Sequence, residues 1–243
     1  MVVLSFFSYF FYYFVRKNLG VVTLDLIDNG IFTEKQIGWA QTCYASVYMV
    51  GQFMNGALGD RFGARVLLNI GLFLSATASV VIGLFPLYGI LLATWSLNGL
   101  FQSTGWPNNC KIVAAWVPHR SRGKVMGFWA LCYVLGSISA NFVAGYVMGE
   151  YGWKAAFLVT GVTVFVVALI QSIFLINSPE DRGFTFERRE GSTGDTVRKG
   201  SFFRLIKNPV ILLYGSSYFS LKFIRYTFFT WGRFQVLSNK VLV

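Results

Sequence analysis

Four basic side chains lie inside stretches of this sequence that are otherwise apolar. Arg16 and Lys17 interrupt the first such stretch, and Lys222 and Arg225 interrupt the last. A charged side chain at the centre of a bilayer costs about 2.5–3.5 kcal/mol. Arginine presents a planar fork of donors that matches phosphate, whereas lysine acts as a compact point charge. Because no Asp or Glu lies at the same depth in these stretches, we expect an oxyanion from outside to complete the site.

Each pair of cations also has a simpler explanation. Arg16 and Lys17 could mark the end of a short first helix. The residues before Arg16 would then cover only about 22 Å as a helix, which is less than the thickness of the hydrocarbon core. Lys222 and Arg225 could extend toward the membrane surface, because long basic side chains reach the interface from inside a helix.

Polar and aromatic residues recur at four-residue spacing in five of the apolar stretches. Residues four apart share one face of a helix, so each set forms a stripe. These stripes are too polar to contact lipid, and we expect them to converge on a water-accessible cavity. Ordinary helix packing explains the aromatic positions equally well when they are taken alone. The sets are Tyr9, Tyr13 and Lys17; Tyr44, Tyr48 and Gln52; Asn98, Gln102 and Trp106; Trp129 and Tyr133; and Tyr218, Lys222 and Arg225.

The composition indicates a polytopic membrane protein. Of the 243 residues, 55% are hydrophobic and only 13% are charged, a balance unlike that of soluble domains. The net charge of +11 falls in short polar connections, which argues against nucleic-acid binding. His119 has no neighbour at metal-ligand spacing, and the three cysteines lie in apolar segments. We therefore expect no metal, no cofactor, no disulfide and no enzymatic activity.

Seven apolar segments are long enough to cross a bilayer, which takes about 20 residues each. Thr33 followed by Gln36 is a capping-box pattern that predicts the start of the second segment. Pro86 separates the third from the fourth, Pro107 should kink the fourth, and Pro179 follows the sixth. The predicted segments are 2–27, 35–58, 66–85, 87–111, 123–148, 154–177 and 209–236.

These segments divide the chain into three predicted regions. Residues 1–177 form a six-helix transmembrane bundle, 178–208 form a polar central loop, and 209–243 contain the seventh helix. Lys and Arg concentrate in the connections after the second, fourth and sixth segments, whereas the opposite connections contain only Lys35 and Lys154. The positive-inside rule therefore predicts that the N-terminus and the central loop are cytoplasmic.

One connection has a recognisable motif. The stretch "GALGDRFGAR" after the second segment resembles the G-x-x-x-D-R-x-G-x-R loop of the major facilitator superfamily. The resemblance implies an all-α fold in which the first three and the next three helices form inverted repeats. It also implies a multi-pass protein of the plasma or inner membrane. The motif residues, which help to hold or release one gated state in that family, are Gly56, Asp60, Arg61, Gly63 and Arg65.

Four further stretches resemble a narrower family. "YYFVRKN", "LNGLFQSTGWPNN", "RGKVMGFW" and "FIRYTFFTW" are similar to the organophosphate:phosphate antiporters, which include glycerol-3-phosphate and hexose-phosphate carriers. The resemblance implies that Arg16 and Arg225 clamp phosphate from the two halves of the protein. It further implies that the substrate site is lined by Lys17, Tyr9, Tyr13, Tyr48 and Trp106.

The chain departs from the glycerol-3-phosphate carriers at three site positions. Tyr133 stands where those carriers have a histidine, Gln52 where they have a lysine, and Lys222 where they have a tyrosine. We keep all three in the predicted site. The departures leave phosphate recognition in place but leave the organic part of the substrate open.

The resemblance implies a secondary carrier that exchanges an organic phosphate, such as a sugar or glycerol phosphate, for inorganic phosphate. Two alternatives remain, namely a carrier for organic carboxylates and a non-transporting sugar-phosphate sensor on the same fold. Members of the family have twelve helices, so we expect a chain truncated after the seventh. The missing C-terminal helices would be the natural partner of this half, and the chain alone is not expected to transport.

Overall fold

The computed structural model describes residues 1–183, 209–210, 212–221 and 223–224. The chain divides into two compact units, Met1–Phe186 and Glu187–Val243. Helices make up both units in their described parts, and no strand occurs there. The second unit contributes helical residues 209–210, 212–221 and 223–224. The first unit contains α1 (Val2–Tyr12), α2 (Phe14–Asp28), α3 (Glu34–Phe62), α4 (Ala64–Leu84), α5 (Tyr88–Gln102), α6 (Gly105–Trp116), α7 (Arg122–Trp129), α8 (Leu131–Phe174) and a 3₁₀ turn, Glu180–Arg182.

The first predicted segment is one helical path with a tight turn inside it. Tyr13 separates α1 from α2 but keeps helical angles (φ −72°, ψ −26°). The amide of Arg16 bonds the Tyr13 carbonyl at 3.2 Å, three residues back instead of four. At 1.5 Å per residue, Arg16 lies about 21 Å from the start of α1 and about 18 Å from the end of α2. Arg16 therefore occupies the middle of this path and does not mark the end of a short helix.

The second and third segments meet at the motif loop. The predicted capping box is confirmed, because the Thr33 amide bonds Gln36 Oε1 at 2.9 Å and the Gln36 amide bonds Thr33 Oγ1 at 3.3 Å. α3 then runs to Phe62, and Gly63 turns the chain into α4 with φ of 85°. This left-handed conformation favours glycine, since a Cβ would strain the backbone.

The fourth segment differs from its prediction in two respects. It is broken into α5 and α6 at Ser103 and Thr104, one turn before Pro107, because a proline has no N–H to bond the carbonyl four residues earlier. Helix α6 also continues to Trp116, past the predicted end at 111. Lys111 therefore lies within a helix, and the predicted end of the fourth segment at residue 111 was five residues too early.

The fifth and sixth predicted segments meet inside α8. Gly152, with φ of 81° and ψ of 169°, interrupts the helical geometry between them. Two helical stretches of the first unit, Ala64–Leu84 and Arg122–Phe174, are long and apolar enough to cross a membrane.

The helices pack so that α3 lies close against α5, while α8 packs against α1, α2 and α4. Glycines permit the first contact. A Cβ at Gly51 would overlap Ser103 Oγ, and one at Gly99 would lie 2.5 Å from the Tyr44 carbonyl oxygen. The backbones of α3 and α5 therefore approach at the break in the fourth segment, which brings the polar faces of both helices together.

A buried polar contact joins three other helices. The Asn18 amide donates to Ser79 Oγ at 3.0 Å and to Thr160 Oγ1 at 2.7 Å, linking α2, α4 and α8. All three side chains are buried. Because α2 is anchored in this way one half-turn after Arg16, the orientation of the Arg16 face is set by the packing of the bundle.

Candidate anion-binding site

Arg16 extends from α2 toward the C-terminal end of α5. Its Nε donates to Gln102 Oε1 at 3.0 Å, and its Nη2 donates to the Gln102 carbonyl oxygen at 3.4 Å. A guanidinium has five N–H donors, so donors remain beyond these two bonds. Both partners are neutral, and in the described part of the chain no carboxylate forms an ion pair with Arg16.

Three tyrosine rings surround the guanidinium. The Arg16 Cζ atom lies 5.8 Å from the ring centroid of Tyr9, 4.8 Å from that of Tyr13 and 5.2 Å from that of Tyr48. Ring faces attract a cation by about 0.5–2 kcal/mol each, but they do not neutralise it. The rings therefore hold the half-buried guanidinium in place, but its positive charge is not compensated by a negative one.

The aromatic cluster extends from Tyr9 to two tryptophans. Tyr9 and Trp106 meet edge to face at 5.5 Å, Tyr9 and Trp129 stack at 5.6 Å, and the two tryptophan rings lie 5.6 Å apart. Tyr133 is half-buried against the same core cluster. The structure thus brings Tyr9, Tyr13, Tyr48 and Trp106 together around or beside Arg16, and Lys17 follows it on α2, half-buried.

Gln102 was predicted to belong to a polar stripe but was not named among the substrate-binding residues. Its side chain is fully buried, and its Nε2 has no hydrogen-bond partner among the described residues. An unsatisfied buried donor costs about 1–3 kcal/mol, and an anion beside Arg16 would remove that cost. The signal was present in the sequence, because Gln102 lies midway along the four-residue stripe from Asn98 to Trp106.

Two groups of predicted site residues do not join this cluster. Gln52 donates from Nε2 to the Ser103 carbonyl oxygen at 3.3 Å, so it contacts the helix break beside Gln102. Lys222 and Arg225 lie outside the described residues. The proposed clamp of Arg16 with Arg225 therefore stays a prediction.

The motif loop forms a separate polar network at one end of the bundle. Asp60 pairs with Lys111 at 2.6 Å, and Lys111 Nζ also donates to the Gly56 carbonyl at 2.5 Å. These contacts join the end of α3 to α6. The sequence prediction missed Lys111, since nothing in the spacing relates it to a loop some fifty residues earlier.

The second half of the motif contacts the end of α8. The Arg65 amide donates to Asn177 Oδ1 at 2.6 Å, and Arg65 Nη2 donates to the Ser172 carbonyl at 2.6 Å. A Cβ at Gly63 would lie 3.1 Å from the Asn177 amide nitrogen, so the glycine also permits this close contact. Arg61 is exposed and lies over the Phe62 ring. The motif thus connects α3, α4, α6 and the chain that follows α8.

Two of the relatives are named for sugar phosphate or glycerol 3-phosphate, and a third is named as a membrane sensor. The bovine protein "Sugar phosphate exchanger 3" is 30% identical over 238 residues, which are 84% of this chain and 48% of the relative. "Putative glycerol-3-phosphate transporter 1" of Arabidopsis thaliana is 28% identical over 84% of this chain and 44% of the relative. "Membrane sensor protein UhpC" of Escherichia coli K12 is 24% identical over 93% of this chain and 54% of the relative. The chain thus spans about half the length of these relatives, and its resemblance to the organophosphate:phosphate antiporters is confirmed.

A solved structure shares the fold. A bacterial homologue of the human lysosomal transporter Spinster, in an inward-facing and unoccupied conformation, superposes with a TM-score of 0.67 at 18% identity. The match covers 84% of this chain and 47% of that one, which confirms the predicted helical transporter fold. The sequence matches the family described as "Major Facilitator Superfamily" over residues 5–238. The chain is therefore a multi-pass membrane protein that belongs to the major facilitator superfamily.

Proposed function

We propose that this chain forms the N-terminal part of a secondary carrier that exchanges an organic phosphate for inorganic phosphate. Arg16 is the group that binds the phosphate. The observation that supports this most is the half-buried guanidinium in the middle of a helical path, with neutral partners and N–H donors left over. An oxyanion supplies both the missing charge and the missing acceptors.

The chemistry around Arg16 favours phosphate over a small halide or a simple carboxylate. Phosphate offers three or four acceptor oxygens, which can receive two guanidinium N–H groups and the free Gln102 Nε2 together. Tyr9, Tyr13 and Tyr48 add ring faces and hydroxyls for the organic part. The names of the sugar phosphate and glycerol-3-phosphate relatives support the same class of substrate.

Exchange needs more than the six-helix bundle. We place the second cation of the clamp at Arg225, with Lys222 beside it, on the seventh helix of region 209–243. Residues 178–208 form the cytoplasmic loop between the halves, and a further set of helices is the partner against which this bundle rocks. The motif residues Gly56 to Arg65 stabilise one of the alternating states through Lys111 and Asn177.

A sensor function is the second candidate, because one relative is named a membrane sensor protein. A sensor would bind an organic phosphate at the same site without exchanging it. Carrier and sensor therefore share the anion site and differ in whether bound phosphate crosses the membrane.

Ligand competition tests the proposal. Radiolabelled inorganic phosphate is bound to the purified chain in lipid nanodiscs, and unlabelled glycerol 3-phosphate, glucose 6-phosphate and succinate are added in turn. We expect at least one organic phosphate to displace the label and succinate to fail at the same concentration. Displacement by succinate but not by either organic phosphate would identify a carboxylate site instead.

A further inference from the structure

The break between α5 and α6 leaves the Gln102 and Ser103 carbonyls without their usual helical partners, and side chains bond to these two carbonyls and to the two that follow. Four consecutive carbonyl oxygens each accept a hydrogen bond from a side-chain N–H group. The donors belong to three different helices, so the break is held from several sides. The pairs are Arg16 with the Gln102 carbonyl at 3.4 Å, Gln52 with Ser103 at 3.3 Å, Asn108 with Thr104 at 2.8 Å, and Asn109 with Gly105 at 2.9 Å.

The Ser103 carbonyl has lost its usual partner for a covalent reason. In an unbroken helix it would accept from the amide of residue 107, and Pro107 has no N–H group. Ser103 is fully buried, so water does not replace the bond, and an unpaired carbonyl at this depth is costly. Gln52 Nε2 supplies the missing donor from α3.

The local packing explains how Gln52 reaches this carbonyl. Gly51 lets the α3 backbone approach Ser103 without a Cβ in between. On the next turn, Asn55 Nδ2 donates to Ser103 Oγ at 2.6 Å. Two successive amide side chains of α3 thus contact the same residue, one at its carbonyl and one at its hydroxyl.

Ser103 directly follows Gln102, whose side chain and carbonyl both accept from Arg16. We propose that Gln52 is a positioning residue, which replaces the hydrogen bond that Pro107 cannot make and thereby keeps Gln102 against Arg16. On this account Gln52 affects anion binding through the helix break and does not contact the anion. The inference deepens the proposed function and rests on it for its link to phosphate.

A double-mutant cycle separates this role from direct contact. Gln52→Met keeps the length of the side chain and removes its donor. Pro107→Ala returns an N–H group to the position that faces the Ser103 carbonyl. If Gln52 donates to this carbonyl, then Gln52→Met should destabilise the protein when residue 107 is proline. The same substitution should have little effect when residue 107 is alanine.

Thermal unfolding in one detergent provides the readout that needs no ligand. We expect Gln52→Met to lower the unfolding midpoint by at least about 2 °C in the Pro107 background. In the Pro107→Ala background the same change should lower it by less than half as much. Gln41→Met, the same substitution about three turns earlier on α3, is the matched control and should show no such dependence on residue 107.

Phosphate affinity is measured on the same four proteins. We expect Gln52→Met to weaken phosphate binding at least about fivefold, and Pro107→Ala to restore most of that loss in the double variant. If Gln52→Met lowers the unfolding midpoint equally in the Pro107 and Pro107→Ala backgrounds, the positioning role is overturned. If Gln52→Met leaves the protein unfolded, a double variant that folds supports the positioning role of Gln52. A double variant that does not fold, although Pro107→Ala alone folds, overturns this role. Absence of phosphate binding in the unmodified chain would refute the proposed function, and the midpoints would still decide the role of Gln52.

Discussion

Arg16 differs from most buried arginines in the kind of partner that surrounds it. A guanidinium at membrane depth usually pairs with a carboxylate, whereas here its partners are one glutamine and three tyrosine rings. Hydrogen bonds to a charged group contribute about 1.5–3 kcal/mol each, and ring faces about 0.5–2 kcal/mol. These neutral contacts together offset the burial cost of about 2.5–3.5 kcal/mol. These contacts therefore stabilise the guanidinium without neutralising its charge.

Tyr48 allows the ring contribution to be tested from a helix other than the one that contains Arg16. Tyr48→Phe keeps the ring face and should change phosphate affinity less than about threefold. Tyr48→Leu removes the ring, and we expect phosphate affinity to fall by about 2- to 30-fold as the guanidinium loses its position. Titration of labelled phosphate against each variant measures the effect. Tyr151→Leu, an exposed tyrosine on α8, is the control.

Equal loss in Tyr48→Phe and Tyr48→Leu would contradict the cation–ring account and indicate that the hydroxyl matters instead. No loss in either variant would remove Tyr48 from the site.

At the residue scale, helical spacing predicted the side chains that belong to one helix. The predicted stripe joined Tyr9 and Tyr13 to Lys17, four residues on, whereas the structure places both rings beside Arg16, three residues after Tyr13. The side chains on other helices that contact Arg16 were harder to predict. Whether Gln102 or Gln52 faces Arg16 depends on how far α5 approaches α2 and α3, and that distance is set by packing at Gly51 and Gly99.

At the element scale, composition predicted the helices well and their breaks less well. The starts of α3 and α4 follow from the capping box and from Gly63, both of which are local signals. The α5–α6 break was expected at Pro107 and lies a turn earlier, because the effect of a proline falls on the carbonyl four residues before it. Helix α6 runs five residues further than predicted, and Lys111, which pairs with Asp60, lies inside it.

The two networks occupy different parts of the same helices. α6 contributes Trp106 to the aromatic cluster near its start and Lys111 to the motif network near its middle. About five residues, or 7–8 Å of helix, separate the two positions. A shift of α6 would therefore move both networks together, which gives a physical route between anion binding and the motif loop.

At the scale of the whole molecule, the distribution of positive charge predicts how the bundle lies in the membrane. The connection from α6 to α7 and the first turn of α7 contain Arg120, Arg122 and Lys124, whereas the connection from α2 to α3 and the first turn of α3 contain only Lys35, next to Glu34. We therefore expect the first of these connections to face the cytoplasm.

Labelling of single cysteines in intact cells tests this orientation. In a background without Cys43, Cys110 and Cys132, Lys35→Cys should react with a membrane-impermeant maleimide, and Ser121→Cys should react only after the membrane is opened. Reaction of Ser121→Cys in intact cells, with protection of Lys35→Cys, would invert the proposed topology.

The relation of this chain to its relatives explains why an equilibrium measurement is the stronger test of the site. The chain spans about half the length of the relatives, and rocking of two bundles requires both. The groups that contact Arg16 in the described residues lie on α1, α2, α3 and α5 or between them, all within one compact unit. Affinity for phosphate thus reports on the site independently of transport.

The most direct measurement is the affinity of the purified chain for inorganic phosphate with and without the guanidinium of Arg16. Arg16→Lys keeps the positive charge and loses the planar fork, so we expect phosphate affinity to fall at least about tenfold. Arg120→Lys makes the same change on an exposed loop and should leave affinity unchanged, with both variants unfolding at the midpoint of the unmodified protein to within a few degrees. Equal affinity in Arg16→Lys and the unmodified chain would contradict the assignment of Arg16 as the phosphate-binding group.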